Sequence, residues 1–275
     1  MTERKSLADR QSEFYSARYT DDQRRILRDM IFAQVYDDYF GQSSWLSTAD
    51  YDRFTDWLQL NAECRLLDVA CGSGEPSLRA ARRAGCLVIG VDSSAPAVAA
   101  AVKLAEQYGL SSRAQFRCLD AAQPLPFPDG SFDALACFDA LGQLRDRGKV
   151  FADWARVLKP AGRLVFTDQV LTGPVSNVEI AERTPFGYFV LAPEGYNERL
   201  LDQARLRLVR RVDLTSTFVG IAERHCAVRA ANEQALRSVE DNEEFERQNR
   251  YRAIGAMLAR ERRLSHFVYV AHKSS

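Results

Sequence analysis

The shortages in this chain are more informative than its averages. Of 275 residues only three are histidine, and the six cysteines (Cys64, Cys71, Cys86, Cys118, Cys137 and Cys226) are scattered, with no C-x-x-C pair and no adjacent histidine. That spacing argues against a zinc site or a disulfide framework and for reduced thiols in a cytosol. Several of them sit in apolar runs, where a small buried thiol is inert. No apolar run is long enough to span a bilayer. The charged opening "MTERKSLADRQSEF" lacks the apolar segment of a secretory signal. Neither sign of charge is in excess: 37 Lys+Arg meet 37 Asp+Glu, so no overall field draws nucleic acid or an anionic membrane. No internal repeat, low-complexity tract or glycine/serine linker divides the chain. The expectation is a soluble cytoplasmic protein, monomer or homodimer, with no nucleic-acid or membrane partner and no metal.

What is present is alternation. Between Leu66 and Asp168 the short apolar runs "RLLDVA", "LVIGVD", "AQFRCL", "FDALACF" and "RLVFTD" are separated by helix candidates at Pro76–Ala84, Pro96–Gln107 and Lys149–Leu158. In the last of these, Val150, Phe151, Trp154, Val157 and Leu158 share one face at helical period, and Pro160 and Gly162 end it. Strand–helix alternation predicts a parallel sheet with helices on both faces. Ligands of such sheets bind at the carboxyl ends of the strands, where the strand order reverses. The flanks differ. Residues 1–60 read as helical and aromatic. Residues 173–262 read as a loop-rich piece, a helix over Asn197–Ala204, a strand over Arg207–Leu214 and a long charged helical stretch over Phe218–Arg262; "SHFVYVAH" closes the chain as a strand. In the charged stretch, opposite charges at i, i+4 mark a solvated face, with Phe245, Ile254, Met257 and Leu258 packing inward.

The stretch "LLDVACGSGEPSLRAARRAGCLVIGVDSS", Leu66 to Ser94, has the plan of a nucleotide site: strand, aspartate, glycine loop, helix, strand, aspartate. Two ligand classes use it. A dinucleotide fingerprint needs a third glycine for close helix–strand packing, but Ser77 occupies that position. Asp92, twenty residues after Gly72, suits ribose hydroxyls in either class. Asp68 discriminates, because a carboxylate just before the loop repels a pyrophosphate and suits a ligand bearing cationic groups. An acidic residue, Asp120, also ends the third run, and "PLPFPDGSFD" leads into the fourth.

At these residues the chain resembles the class I methyltransferases that use S-adenosylmethionine (SAM), in particular their ubiquinone-biosynthesis-like small-molecule branch. A usual first motif of that family, D-x-A-C-G-S/T-G, is matched by Asp68 to Gly74. "LPFPDGSFD" and "RVLKPAGRLVFTD" resemble its later motifs, over about residues 60–170. The resemblance implies an α/β fold, a Rossmann-like three-layer sandwich with a mostly parallel seven-stranded sheet and a helical cap from both flanks. Its parts would be an N-terminal helical lid (1–60), the SAM-binding core (61–172), and a cap insertion with the last strands (173–275). It implies that Ala70, Gly72 and Gly74 pass under the methionine part of SAM, where side chains would collide with it. Asp68 would orient the loop and the ammonium, Asp92 the ribose, with Ser93 against the adenine. Asp120 and the Ala121 amide would meet the adenine edge, and the Phe138 carbonyl the ammonium. Asp68 also has a plain structural alternative as a strand-end residue satisfied by loop amides, and Asp120 as a helix cap or turn residue.

Methyl transfer from a sulfonium needs mainly an acceptor held in line. "DALGQ" resembles a family motif that commonly reads D-A-x-x-H. Asp139 matches the acid and is the candidate to hold a cationic acceptor or take its proton, with a helix cap as its alternative role; Gln143 replaces the histidine. Acceptor candidates from the flanks are Tyr19, Arg183, Tyr188, Tyr196 and Asn197, set among aromatics as a mostly apolar pocket requires. Tyr15, Tyr19, Tyr36, Tyr39 and Trp45 are candidates for a lid that excludes water. His266 and His272 are expected to be structural or exposed, and His225 to pack in the cap. The expected activity is methylation of N or O on a small metabolite, leaving S-adenosylhomocysteine. A SAM-binding protein without turnover, and a nicotinamide-dependent oxidoreductase, are the alternatives.

Overall fold

The computed structural model describes residues 16–17 and 19–274. Two helices come first. α1 (Asp22–Val35) is capped by the Asp21 carboxylate, which accepts from the Arg24 amide at 3.1 Å. α2 (Thr48–Trp57) opens on a reciprocal capping box between Ser47 and Asp50. The alternating core follows: β1 (Arg65–Val69), α3 (Glu75–Ala84), β2 (Leu87–Asp92), α4 (Ala95–Gln107), β3 (Ala114–Cys118), β4 (Phe132–Cys137), α5 (Arg147–Val157) and β5 (Leu158–Leu171). The three helices anticipated here lie within two residues of their expected bounds. Chain beyond β5 forms α6 (Asn177–Arg183), the two-residue β6 (Ala192–Pro193), α7 (Tyr196–Gln203), β7 (Leu206–Asp213), α8 (Thr215–Ala231), α9 (Glu233–Arg237), α10 (Asn242–Arg260) and β8 (Leu264–Lys273).

The strands lie in the order β3-β2-β1-β4-β5-β8-β7. β1 to β5 pair in parallel, β8 runs antiparallel to both its neighbours, and β6 adds a short eighth strand against β5. This is the mostly parallel, Rossmann-like sheet expected, with one short strand more than seven. Both faces of its centre are covered, which explains the near-continuous apolar runs. Along β1, Leu67 and Val69 join one core with Leu135, Trp154 and Phe166, while Leu66 joins another with Leu78, Val88 and Val165. That is the two-residue period of a strand feeding two layers.

The flanks share a core of their own. Ile31, Phe32 and Val35 of α1 pack with Ile221 of α8, Leu236 of α9 and Phe245 of α10. The long helical stretch expected over Phe218–Arg262 is therefore three helices. Asn232 ends α8, and Asp241 caps α10 by accepting from the Glu244 amide at 2.8 Å. Phe245 and Leu258 face inward as expected, but Met257 is 37% exposed. No helix among the described residues is long and apolar enough to cross a membrane.

Candidate functional site

The strand order reverses between β1 and β4, so the loops after β1, β2, β3 and β4 open one crevice at their carboxyl ends. A cavity of about 430 Å³ occupies it. Asp68, Ala70, Gly72, Asp92, Ser93, Asp120, Ala121, Phe138, Asp139 and Gln143 all line this cavity. These ten come from four separate strand ends, and only the fold brings them together.

Gly74, expected under the methionine part of SAM, is not among the residues that line the cavity. Its φ is +85°, and an added Cβ would lie 2.8 Å from the Ala101 Cβ and 2.9 Å from the Phe116 ring. Glycine is needed there for a left-handed turn and for close packing of the loop on the sheet. Tyr19, expected at the acceptor, also lines the large cavity, beside Gly72.

The cavity is acidic. Asp68 is 4% exposed and accepts from the Ser77 hydroxyl. Burial pushes its carboxyl up to about 7, the Ser77 bond opposes that, and the nearby Asp92 adds to it. Asp92 accepts from the Gly72 and Ser94 amides, each at 2.9 Å, one on each oxygen. Burial nevertheless raises its pKa, and each oxygen keeps a lone pair for a further donor. Asp120 is exposed and holds the Ala122 amide at 2.9 Å, as a turn residue does. Glu75, at the start of α3, also lines the cavity and is raised by burial. Sequence reasoning passed over Glu75, although it stands directly after the glycine loop. Three buried or part-buried carboxyls around that loop oppose a pyrophosphate far more strongly than Asp68 alone.

A second cavity, about 110 Å³, opens beside the first and shares Ser43, Ser44, Asp139 and Gln143 with it. Its other walls come from the flanks: Tyr36 and Trp45 from the N-terminal side, Arg183, Tyr188 and Phe189 from the segment after β5, and His225, Tyr251 and Arg252 from α8 and α10. Arg183 and Tyr188 are thus where the acceptor reading wants them. Tyr196 and Asn197 are not. Tyr196 packs against the main core with the Arg199 guanidinium 5.9 Å over its ring. Asn197 is buried in a triad, donating to Asp168 at 2.8 Å and accepting from Arg147 at 3.0 Å. Arg147 itself reaches Asp168 at 2.5 Å, so this polar cluster ties α5, β5 and α7 together. Tyr39 lines neither cavity and donates to Asp29 at 2.9 Å. Tyr15 lies outside the described residues.

Asp139 stands at the junction of the cavities with φ at +54°. It is not a helix cap. Its Oδ2 accepts from the Trp45 amide at 2.6 Å, while Oδ1 meets the Thr167 hydroxyl at 2.9 Å and His266 Nε2 at 2.7 Å. Burial would raise its pKa, but His266 and the other donors outweigh that and hold it below the ordinary carboxylate range. His266 is fully buried on β8, opposite Gln169 of β5. A histidine does meet Asp139, but it comes from β8, 127 residues on, and lines neither cavity. No local signal announces it.

The sequence comparisons agree with this geometry. Residues 67–166 match the family model described as a methyltransferase domain. Over this part of the chain, about a third of it, the sequence is similar to methyltransferases. Over 133 residues the chain is 38% identical to 27-O-demethylrifamycin SV methyltransferase of Amycolatopsis mediterranei, covering 48% of each chain. Over 169 residues it is 32% identical to methyltransferase GfsG of Streptomyces halstedii, covering 59% of this chain and 60% of that one. The matches span only about half the length of these curated relatives, and nothing in them requires the ubiquinone-biosynthesis-like branch. Among solved structures, the cyclase SpnF superposes with a TM-score of 0.72 at 24% identity over 96% of both chains, a likeness of fold.

Proposed function

We propose that the protein transfers a methyl group from SAM to a small-molecule acceptor. One observation carries this reading: the acidic cavity on the methyltransferase domain opens, through Asp139, Gln143, Ser43 and Ser44, into a second, aromatic cavity closed by the flanks. Each is a place for one of two reactants, and they meet at a single seam. The residues of the first cavity fit SAM. Asp68 is a buried carboxyl in want of a cation, and Asp92 has acceptor capacity left for two neighbouring hydroxyls. Asp120, Ala121 and Ser93, which line the cavity at the strand ends, would meet the adenine, and the Phe138 carbonyl would meet the ammonium.

SAM supplies an activated methyl on a sulfonium; the protein's part is to aim the acceptor at it and keep water out. Asp139 anchors the Trp45 segment to the end of β4, closing the aromatic cavity from the N-terminal side. Its lowered pKa keeps it ionised but makes it a weak proton acceptor, so we assign it and Gln143 to orientation at the seam. The N-terminal helices act as the lid. The SpnF likeness shows that this fold also appears in a protein named for cyclisation, and fold alone does not fix chemistry. The test is calorimetric titration with S-adenosylhomocysteine and, separately, with NADH. We expect binding of the first only, weakened by about 1–3 kcal/mol in Asp92→Ala, the cost of unpaired hydroxyls. Binding of NADH, or an unchanged Asp92→Ala, overturns the cofactor assignment. Absence of methyl transfer from labelled SAM to every phenol, amine and acid offered would favour the non-transferring reading.

A further inference from the structure

Arg183 is 2% exposed, at the end of α6, and it lines the aromatic cavity. A guanidinium cannot shed its proton in a protein, so its charge is buried with it. Among the described residues no carboxylate pairs with it. Its Nη2 donates to Gln169 Oε1 at 2.7 Å, and Nε and Nη1 are buried without any acceptor. Its other neighbours are rings: Tyr251 at 4.1 Å from the guanidinium carbon, and Trp45 and Phe218 at 5.5 Å. Ring faces favour a cation modestly, but they do not satisfy N–H donors.

The surroundings are built to keep this group in place. Gly255 lies in the interior of α10, where glycine costs about 1 kcal/mol relative to alanine. A Cβ there would come within 3.2 Å of Arg183 Nε and of the Phe218 ring, so the helix gives up a side chain to admit the guanidinium. The balance of charge in the cavity points the same way. Among the described residues that line it Asp139 is the one carboxylate, and it is already met by Trp45, Thr167 and His266 rather than by Arg183. This argues against the cationic acceptor that Asp139 suggested from sequence alone.

We propose that the methyl acceptor carries an anionic oxygen group, a carboxylate or a phosphate, beside an unsaturated ring, and that Arg183 binds that group. The proposal rests on the second cavity being the acceptor site. Arg183 is not among the residues shared with the cofactor cavity, so it holds the acceptor by an anchoring group away from the atom that is methylated. At about 110 Å³ the cavity is somewhat smaller than the ~150 Å³ engineered void that admits benzene, so it takes the anionic group and part of an adjoining ring. Any larger part of the acceptor extends outside it. Trp45, Tyr188, Phe189 and Tyr251 supply the ring faces.

The experiment uses the whole protein saturated with S-adenosylhomocysteine, and titrates benzoate, phenyl phosphate and the neutral isostere benzamide by calorimetry. One or both anions should bind at least about tenfold more tightly than benzamide, as a charge-assisted contact predicts, and which anion wins names the group. Arg183→Gln should abolish that preference while leaving the S-adenosylhomocysteine affinity unchanged. Benzamide binding as well as the anions, or no probe binding at all, overturns the proposal; a preference that survives in Arg183→Gln overturns the assignment to Arg183. If Arg183→Gln fails to fold, the wild-type comparison still decides the anion, and Gly255→Ala, which presses a methyl on the guanidinium, should weaken the anions selectively. Failure of S-adenosylhomocysteine to bind wild-type protein would instead refute the cofactor reading, and the two failures are therefore distinguishable.

Discussion

Replacing Asp68 with asparagine tests whether a buried carboxyl was placed to receive a cation. In the ligand-free protein burial holds this group near 7 rather than its ordinary 3.8, with Asp92 adding to the effect. An ammonium seated against it restores the ionised form, so binding must expel whatever proton the carboxyl carries. At pH 7 that is about half a proton per site, rising toward one near pH 5.5 and toward none near pH 8.5, as a single titration at pKa 7 requires. Return of the pKa over roughly three pH units corresponds to a coupling of at most about 4 kcal/mol, at about 1.4 kcal/mol per unit. The affinity for S-adenosylhomocysteine should accordingly fall by up to about tenfold per unit as pH drops below 7. Calorimetry in two buffers of unlike ionisation heat reads the proton count directly. Asp68→Asn should bind more weakly and release no proton in this window. Proton release that is flat from about pH 5.5 to 8.5, or that persists in Asp68→Asn, refutes the reasoning. The sign carries over to stability: the folded protein holds this proton longer than the unfolded chain, so the ligand-free form loses stability as pH rises from about 4 through 7.

Asp139→Asn should leave S-adenosylhomocysteine affinity intact and lower turnover, because the Trp45 and His266 contacts both weaken; loss of cofactor binding would contradict the role given to it. Since the folded protein holds Asp139 below its ordinary pKa, its contribution is present at neutral pH and is lost as pH falls through the folded value, and Asp139→Asn should flatten that acid limb in a melting series. Gly74→Ala meets both a left-handed backbone and the Phe116 ring, and should cost about 1–3 kcal/mol in urea unfolding; a cost near zero would mean the loop is not as tightly packed as described. Asp168→Ala leaves Arg147 charged and buried with only Asn197 and the Val190 carbonyl, and should cost about 3–5 kcal/mol, with circular dichroism melts as the check.

The sequence carried the local part of this structure well. Strands β1, β2 and β4 are buried on both faces and read as apolar runs, and the helices between them announce themselves by period and by their stops, so their bounds and the strand-end aspartates were legible. What was not legible depends on chain segments far apart. His266 reaches Asp139 only because β8 inserts antiparallel beside β5, and a residue 127 positions away leaves no local trace. Tyr196 and Asn197 looked like pocket residues for their chemistry, yet α7 turns them into the core and toward Asp168. Tyr19 reads from the sequence as an acceptor or lid residue, while the structure sets its hydroxyl beside Gly72. Glu75 is a different kind of omission: it adjoins the motif, and the motif's own pattern drew attention away from it.

The position of β8 has a consequence for how the chain is made. In chain order this strand follows every other strand described, yet it lies inside the sheet, between β5 and β7, and is the strand that β7 pairs with. Until residue 273 has emerged, the long flank of β5 presents open amide and carbonyl groups, the kind of edge on which chains associate wrongly. His266 arrives with the same strand, so the histidine behind Asp139 cannot be in place earlier. The parallel half of the sheet can pair without residues 264–273, but the sheet and the seam between the two cavities are complete only with them.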